Sequence, residues 1–320
     1  MAVLSSIIDA ELVAFESKFK AAVKSQAPLL DRITHYIINR KGKQLRPRFV
    51  LLSAKLFGPV TERSYRAASL VELLHTATLV HDDVVDESYE RRGFFSINAL
   101  WKNKVAVLVG DYMLSKGMLL SVDNQDFETL AIMSTAIRNI IEGELLQLEK
   151  SRKLNLHEGV YLEIIKNKTA SLLASACAAG AWSTSQDKES TEKMRLFGEK
   201  VGMAFQMKDD LFDYGAADIG KPTGNDIKEK KLTLPIIYAI NHAPAALRRQ
   251  MIYTVKNENK NPERVKWLVE QVQNSGGIAY ATQKMETYTQ EAREILESFA
   301  PSPVRDALQE LVDFTTARKY

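Results

Sequence analysis

The stretch His81-Asp82-Asp83-Val84-Val85-Asp86-Glu87-Ser88-Tyr89-Glu90-Arg91-Arg92-Gly93 sets three aspartates in a D-D-x-x-D pattern and follows them with two adjacent arginines. A second cluster, Asp209-Asp210-Leu211-Phe212-Asp213, repeats the same spacing further along the chain. Residues i and i+4 of a helix share one face, so each cluster can aim two carboxylates in one direction. Apolar residues surround both clusters, which argues against an ordinary solvated acidic face. Two such faces brought together predict a strongly negative site that needs cations.

Each cluster is predicted to lie near the C-terminus of a helix, because Gly93 and Gly215 follow closely. Carboxylates at that end are disfavoured by the helix dipole by roughly a few tenths of a kcal/mol or more. Divalent cations would remove this penalty, and Mg²⁺ commonly bridges carboxylates to the phosphates of a substrate. Arg91 and Arg92 fit such a site, since guanidinium groups pair bidentately with phosphate oxygens. The sequence therefore predicts that the chain binds a diphosphate.

The rest of the chain predicts an all-α protein. Apolar residues recur at three- and four-residue spacing over residues 7–25, 67–87, 130–150 and 191–214. The 320 residues contain only 15 Gly and 9 Pro, and no run of alternating β-branched residues indicates a strand. No linker or composition shift divides the sequence. We therefore expect a single domain over residues 1–320, built from ten or more helices.

Composition limits the classes of partner and the cellular compartment. The net charge of +3, from 43 basic and 40 acidic residues, gives no general field for nucleic acid. Cys177 is the only cysteine, which excludes a disulfide framework and favours the cytoplasm. Residues 1–20 lack the pattern of a signal peptide. Residues 169–186 carry no charge but are rich in Ser, Thr and Ala, so they predict a buried helix and no transmembrane segment.

Several further polar residues stand in positions suited to anions, although each is weak evidence alone. The segment Gly42-Lys43-Gln44-Leu45-Arg46-Pro47 places Lys43 and Arg46 three residues apart, ahead of a proline suited to the first turn of a helix. It reads equally as a solvated loop. His75 lies two helical turns before Asp82, where a structural role and ligand binding are about equally plausible. The remaining candidates near apolar runs are Lys168, Thr169, Gln206, Lys221 and Lys231.

Together these motifs resemble those of trans-isoprenyl diphosphate synthases, and within them the bacterial long-chain polyprenyl synthases that supply quinone side chains. The likeness extends from about residue 33 to residue 235. Besides the motifs above, it rests on Gly110-Asp111, Glu142-Gly143-Glu144 with Gln147, Lys168-Thr169, and Lys231-Leu232-Thr233-Leu234-Pro235. The resemblance implies the isoprenoid synthase fold, a helical bundle around a deep central cavity. Lys41, Gln44 and Lys230 depart from the residues usual in the family, which are Gly, Arg and Gly.

The resemblance also implies a role for each site residue. Asp82 and Asp86 would hold two Mg²⁺ and Asp209 a third, with Asp83 and Asp210 completing the catalytic acids. The allylic diphosphate would contact Arg91, Lys168, Thr169, Gln206 and Lys221, and Lys231 would also bind substrate. Isopentenyl diphosphate would contact Lys43, Arg46, His75 and Arg92. A homodimer is implied in the same way.

Product length should depend on the residues below the metals, along the helix that carries Asp82. Ala77 and Thr78 lie about 6–8 Å below at ~1.5 Å per residue. In the family that the motifs resemble, bulky aromatic residues here stop chain growth early, so these small residues imply a deep tunnel and a product longer than C20, with eight five-carbon units expected within a range of six to ten. Candidates for the tunnel floor are Ile132, Met133, Ile137 and Leu173. The alternatives are a short-chain synthase making C15–C20 products and a non-catalytic subunit of a heteromeric synthase. A terpene cyclase and an acidic Ca²⁺-binding protein explain the basic residues less well.

Overall fold

The computed structural model describes residues 2–39, 44–91, 93–154, 157–215 and 224–316, with side chains from residue 7 onward except at 91. These residues are almost entirely helical, as the sequence predicts. The helices are α1 Ala2–Val23, α2 Pro28–Ile38, α3 Leu45–Lys55, α4 Glu62–Val85, α5 Ile97–Asp123, α6 Phe127–Lys153, α7 Glu158–Ile165, α8 Ser171–Ser185, α9 Lys188–Phe212, α10 Asn225–Lys228, α11 Leu234–His242, α12 Ala245–Asn257, α13 Pro262–Asn274, α14 Gly277–Glu297 and α15 Pro303–Thr316.

Two short elements interrupt this pattern. Strands β1 Glu90–Arg91 and β2 Phe94–Phe95 form a small antiparallel hairpin, where the sequence predicts no strand. A π-helical turn, Lys166–Ala170, joins α7 to α8. The hairpin follows the first acidic cluster directly, and the π-helical turn contains Lys168 and Thr169. The only departures from α-helix and loop in the described chain therefore fall on predicted site residues.

Local signals explain where the long helices begin. At the start of α4, Thr61 accepts a hydrogen bond from the Ser64 amide, and the Ser64 hydroxyl accepts one from the Thr61 amide, which forms a capping box. Ser96 caps α5 by accepting from the amide of Ala99. Asn261 caps α13 in the same way, with Pro262 in its first turn. The caps satisfy amides that have no partner within the helix.

The chain divides into two compact units. The first unit contains Met1–Ile137, Leu172–Arg195 and Phe299–Glu310, and the second contains Arg138–Ser171, Leu196–Ser298 and Leu311–Tyr320. Neither unit is a continuous segment, since the chain passes between them within α6, after the first residue of α8, within α9, after α14 and within α15. The single domain over residues 1–320 stays a prediction.

The first unit has an apolar core between α4 and α5. Leu73, Ala77 and Val80 of α4 are buried with Val109 and Met113 of α5. Burial of the leucine, valine and methionine side chains among them contributes about 1.5–3 kcal/mol each. Helix α8 packs into the same unit, where the close approach of Gly180 to the Val50 carbonyl leaves no room for a side chain. The small residues of α8 are almost all buried, which confirms the prediction of a buried helix in this segment.

The second unit has two apolar clusters. One surrounds Tyr214 and Ile227 with residues of α11, α12 and α13. The other joins Tyr161 and Ile165 of α7 to Met203 and Met207 of α9. The second of these clusters supports the polar residues described below.

Helix α5 is long and apolar enough to span a membrane by length and composition alone. A third of its most apolar 18-residue stretch is buried. Its buried face forms the core with α4, where Gly117 lies against Leu70. The helix is therefore partly core, and its remaining face carries exposed apolar side chains.

Candidate active site

The first acidic cluster lies at the C-terminal end of α4. The helix ends at Val85, and the Asp86 amide donates to the Asp82 carbonyl over 2.8 Å. This bond fixes Asp82 and Asp86 one helical turn apart on the same face. Asp83 points the other way and is buried, while Asp82 is half-buried and Asp86 is exposed. No basic residue occupies the last turn, so the cluster meets the negative end of the helix dipole, as predicted.

Residues of α5 hold the end of α4 in place. The side-chain amide of Asn98 donates to the Asp83 carbonyl over 3.0 Å. Gly110 allows the ring of His81 to approach, because a Cβ there would lie 2.1 Å from the His81 Nε2. The same nitrogen lies 3.5 Å from a carboxylate oxygen of Asp111. The Gly110-Asp111 motif therefore has a structural explanation, because it contacts His81, the residue directly before the first acidic cluster.

One face of α4 carries the predicted substrate and tunnel residues. His75, Thr78, Asp82 and Asp86 follow one another at spacings of three and four residues, and the Thr78 hydroxyl donates to the His75 carbonyl over 2.9 Å. His75 is buried and Thr78 is half-buried. Ala77 faces the apolar core instead and is fully buried. Of the two residues predicted to set product length, Thr78 is thus the one below Asp82.

The three aspartates of the second cluster have different surroundings. Asp209 and Asp210 lie in the last turn of α9, which again contains no basic residue. Asp210 is buried. Asp213 lies beyond the helix, where its two carboxylate oxygens accept the amides of Asn225 and Asp226 over 2.8 and 3.0 Å. Asp213 therefore fixes the start of α10 and, with it, the position of Asp226.

A chain of hydrogen bonds joins Asp210 to the predicted substrate-binding residues. The Thr169 hydroxyl donates to Gln206 Oε1 over 2.8 Å, and Gln206 Nε2 donates to Asp210 Oδ1 over 2.8 Å. The hydroxyl of Tyr161 donates to Asp210 Oδ2 over 2.7 Å. Both oxygens of Asp210 are therefore engaged by protein donors.

The π-helical turn sets the position of Lys168 and Thr169. Gly143 of α6 lies against it, since a Cβ there would come within 2.9 Å of the Lys168 amide nitrogen. Gly202 of α9 lies against Ala170 in the same way, since a Cβ there would lie 2.5 Å from the Ala170 Cα. The Lys168 ammonium lies 2.5 Å from a carboxylate oxygen of Glu144. π-Helical turns are frequent at functional sites, and here the glycine of the Glu142-Gly143-Glu144 motif makes room for one.

A cavity of about 170 Å³ opens among these side chains in the second unit. Five predicted site residues line it: Lys168, Thr169, Gln206, Asp210 and Lys231. Its other polar lining residues are Gln147, Lys150, Ser151, Tyr161, Asp226 and Thr233. The structure thus brings together residues that are more than 60 positions apart in the sequence.

Burial alters the acid–base properties of this cavity. Burial, together with the charge of Asp209, raises the pKa of Asp210 to about 6, against the hydrogen bonds from Tyr161 and Gln206. Burial and the charges of Asp210 and Asp213 raise the pKa of Asp226 to about 7. The pKa of the Tyr161 hydroxyl is well above its ordinary value because the group is buried beside Asp210. Tyr161 therefore remains a hydrogen-bond donor at neutral pH.

Sequence reasoning missed Tyr161, Lys150 and Asp226, and three of its predicted residues lie outside the described chain. Tyr161 stands seven residues before Lys168, a spacing that gives a weak signal. Lys43, Arg92 and Lys221 lie outside the described residues, as does the side chain of Arg91. Arg46 is half-buried in the first turn of α3, one residue before Pro47, as expected for that segment.

The donor chemistry of the two clusters suits Mg²⁺. Both present aspartate oxygens at helix ends without a basic residue in the last turn. Among the described residues, no three acidic, histidine or cysteine side chains are arranged to hold a metal by themselves. Mg²⁺ usually keeps several waters and binds through one or two carboxylates plus substrate phosphates. Such an ion matches these sites better than one that needs a complete protein cage.

A family model for polyprenyl synthetases matches residues 27–272, and the chain belongs to that family. It is a polyprenyl diphosphate synthase, a prenyltransferase of the long-chain trans class. A curated relative, the geranyl-diphosphate-specific all-trans-nonaprenyl-diphosphate synthase of Rhodobacter capsulatus, is 34% identical over 304 residues, which cover 94% of this chain and 93% of the relative.

Solved structures confirm the all-α isoprenoid synthase fold. The polyprenyl synthase of Caulobacter crescentus, complexed with calcium and isoprenyl diphosphate, superposes with a TM-score of 0.91 at 34% identity, covering 100% of this chain and 98% of the other. A geranylgeranyl pyrophosphate synthase from Bacteroides thetaiotaomicron has a TM-score of 0.85 at 38% identity, with 99% of each chain covered.

Proposed function

We propose that this enzyme condenses isopentenyl diphosphate repeatedly with an allylic diphosphate such as farnesyl diphosphate, to give an all-trans product of about C40 for quinone side chains. The observation that carries the proposal is the cavity of the second unit, which gathers Lys168, Thr169, Gln206, Asp210 and Lys231. These residues combine two cationic groups with oriented hydrogen-bond donors. That combination suits a diphosphate, whose oxygens accept hydrogen bonds and carry negative charge.

In the proposed reaction, the carbon–oxygen bond of the allylic diphosphate breaks and its diphosphate leaves with the electron pair. The Lys168 and Lys231 ammonium groups stabilise the charge that develops on this leaving group. The double bond of isopentenyl diphosphate then attacks the allylic cation, and loss of a proton yields the longer allylic diphosphate. The departing diphosphate can accept that proton. No covalent bond to a side chain is required.

Asp82, Asp86 and Asp209 are the residues we propose as Mg²⁺ ligands, with three ions in each active site. When bound, Mg²⁺ supplies positive charge to the diphosphate oxygens and so favours their departure. The aspartates supply oxygen ligands at the C-terminal ends of two helices whose last turns contain no basic residue. We assign Arg91 and Lys221 to the allylic diphosphate, and Lys43, Arg46, His75 and Arg92 to isopentenyl diphosphate. Asp83, buried behind Asp82, completes the first cluster.

The direct test uses purified protein with Mg²⁺, isopentenyl diphosphate and farnesyl diphosphate, and measures product length by mass spectrometry. We expect products near forty carbons, within the C35–C50 range of the long-chain relatives. Products that stop at fifteen or twenty carbons would support the short-chain alternative, which the likeness to a geranylgeranyl synthase also favours. A protein that condenses nothing alone would instead fit the non-catalytic subunit of a heteromeric synthase.

The small side chains of α4 are proposed to leave space for the growing tail. Thr78→Phe should shorten the product by several units, because the new ring lies on the face of Asp82, one turn below it. Ala77→Phe should also shorten the product, but it must repack a residue that is fully buried in the core. Thr76→Phe is the matched control, since Thr76 is half-buried on a different face of the helix. Unchanged product length in Thr78→Phe would contradict the tunnel position.

We also propose that the enzyme is a cytoplasmic homodimer that pairs through α5. Leu100, Val107, Leu108, Met118, Leu119 and Val122 are 41% to 58% exposed. Leu100 precedes the non-helical residue Lys102, and beyond it the spacing of eleven residues from Val107 to Met118 and from Leu108 to Leu119 keeps the other side chains along one face of the helix. A stripe of this kind marks an interaction surface. Leu108→Glu with Leu119→Glu should give monomers in sedimentation analysis, whereas Val13→Glu, at an exposed apolar position of α1, should not.

A further inference from the structure

We propose that Tyr161 is a positioning residue for the condensation reaction and that it acts through Asp210 on Gln206 and Thr169. This inference rests on the function proposed above and adds a residue to it. Tyr161 lies on α7, in a segment that none of the sequence motifs includes. Its contribution is to hold the carboxylate of Asp210 in the orientation that the substrate-binding side chains require.

The geometry gives each bond in this network a fixed direction. Tyr161 donates to one oxygen of Asp210 over 2.7 Å, and Gln206 donates to the other over 2.8 Å. The remaining polar atom of the Gln206 amide, Oε1, accepts from the Thr169 hydroxyl over 2.8 Å. Because Gln206 donates at one end and accepts at the other, its amide cannot flip without losing both bonds. A single series of hydrogen bonds therefore runs from Thr169 through Gln206 and Asp210 to Tyr161.

Tyr161 is the fixed end of that chain. Its side chain is 5% exposed and packs in the apolar cluster with Ile165 and Met203. A hydroxyl buried in such surroundings needs a partner, and Asp210 is the partner that the structure provides. Thr169 and Gln206, at the other end, line the cavity with Lys168. Rigid packing at one end thus limits the rotation of polar groups at the end that faces the substrate.

Loss of the Tyr161 hydroxyl should release this constraint, and it removes no ionisable carboxylate or ammonium group from the cavity. Asp210 Oδ2 would lose its donor, and the carboxylate would be free to rotate away from Gln206. The cavity would then hold the same residues in a less defined arrangement. Hydrogen bonds to charged groups are worth enough that we expect the kcat/KM for the allylic diphosphate to fall about tenfold or more in Tyr161→Phe.

The experiment is a double-mutant cycle on kcat/KM for farnesyl diphosphate, at saturating Mg²⁺ and isopentenyl diphosphate. It compares wild type, Tyr161→Phe, Asp210→Asn and the double variant. If Tyr161 acts through Asp210, removing its hydroxyl in the Asp210→Asn background should change kcat/KM by about twofold or less. The same factor in both backgrounds would overturn the proposal. Thr169→Val repeats the test from the other end of the chain, and it should also be non-additive with Tyr161→Phe.

The matched control is Tyr280→Phe. The Tyr280 hydroxyl also donates to a carboxylate over 2.7 Å, that of Glu158, but neither residue lines the cavity. This variant should keep the wild-type kcat/KM, and thermal unfolding should show both tyrosine variants folded. An equal loss in Tyr280→Phe would indicate a general effect on the fold and would also overturn the proposal. A wild-type protein that condenses nothing would contradict the proposed function itself, which separates the two failures.

Discussion

Asp226 offers a quantitative test of the electrostatics of the cavity, because its pKa of about 7 is far above the ordinary value for aspartate. The causes are burial first and the charges of Asp210 and Asp213 next. Between about pH 4 and pH 7 the folded protein holds a proton that the unfolded chain releases. The free energy of unfolding should therefore fall as the pH rises through this window. Asp226→Asn removes the group responsible and should raise stability at pH 8.

The expected gain in the free energy of unfolding follows from how far the pKa of Asp226 is raised. Raising the pKa of Asp226 from 3.8 to about 7 corresponds to about 4 kcal/mol at most, since a factor of ten in the ionisation constant is worth about 1.4 kcal/mol. Asp226 is half-buried, so solvent screening lowers the expected gain to about 2 kcal/mol. For a protein of this size the melting temperature would rise by about 3–5 °C at pH 8, and by about 1 °C or less at pH 4.

Differential scanning calorimetry with EDTA present measures this effect without compensation by bound metal. The loss of other contacts is small, because among the described residues the Asp226 carboxylate has no hydrogen-bond donor. Asp123→Asn, at an exposed position at the end of α5, is the control and should change little at either pH. Destabilisation of Asp226→Asn at pH 8, or the same gain at pH 4 and pH 8, would refute the reasoning.

Two further substitutions test the supports of the site. Asp126 is buried and its carboxylate binds two partly exposed arginines of α4 over 2.6 and 2.9 Å. Asp126→Ala should therefore lower stability by about 2–3 kcal/mol, measured by thermal unfolding, because both charged hydrogen bonds are lost. A smaller loss than about 1 kcal/mol would show that water replaces the carboxylate. Gly143→Ala should reduce kcat/KM for the allylic substrate about tenfold, since its methyl group displaces the backbone of Lys168. Gly159→Ala, which meets no atom within 4 Å, should have no such effect, and equal activities would remove the role given to Gly143.

The sequence predicts the helices well because their signals are local. Apolar spacing locates α1, α4, α6 and α9, and the predicted C-terminal positions of both acidic clusters are confirmed. The prediction that Lys168, Gln206 and Lys231 share one site rests on the family resemblance and not on their spacing in the sequence. The π-helical turn could not be foreseen, since it depends on Gly143 and Gly202 from other helices.

The residues that sequence reasoning missed are those whose role depends on a distant partner. Tyr161 matters because it meets Asp210, 49 residues later, inside an apolar cluster. Asp226 belongs to no motif in the sequence, and its place in the cavity lining depends on the bond between its amide and Asp213. Lys230 is a departure of another kind, because it stands where the family usually has Gly and its φ of 58° lies in the left-handed region that glycine adopts most easily.

The π-helical turn makes the length of this part of the chain unusually critical. A π turn contains one residue more than an α-helical turn, and each residue rotates a helix by about 100°. Deletion of one residue from Lys166–Ala170 would restore a regular α-helix, which the helix propensities of these residues allow. It would also rotate Lys168 and Thr169 by about that angle relative to α8. Among homologous proteins, insertions and deletions should accumulate in the surface loops and be absent from this helical turn, although it looks no different from its neighbours in composition.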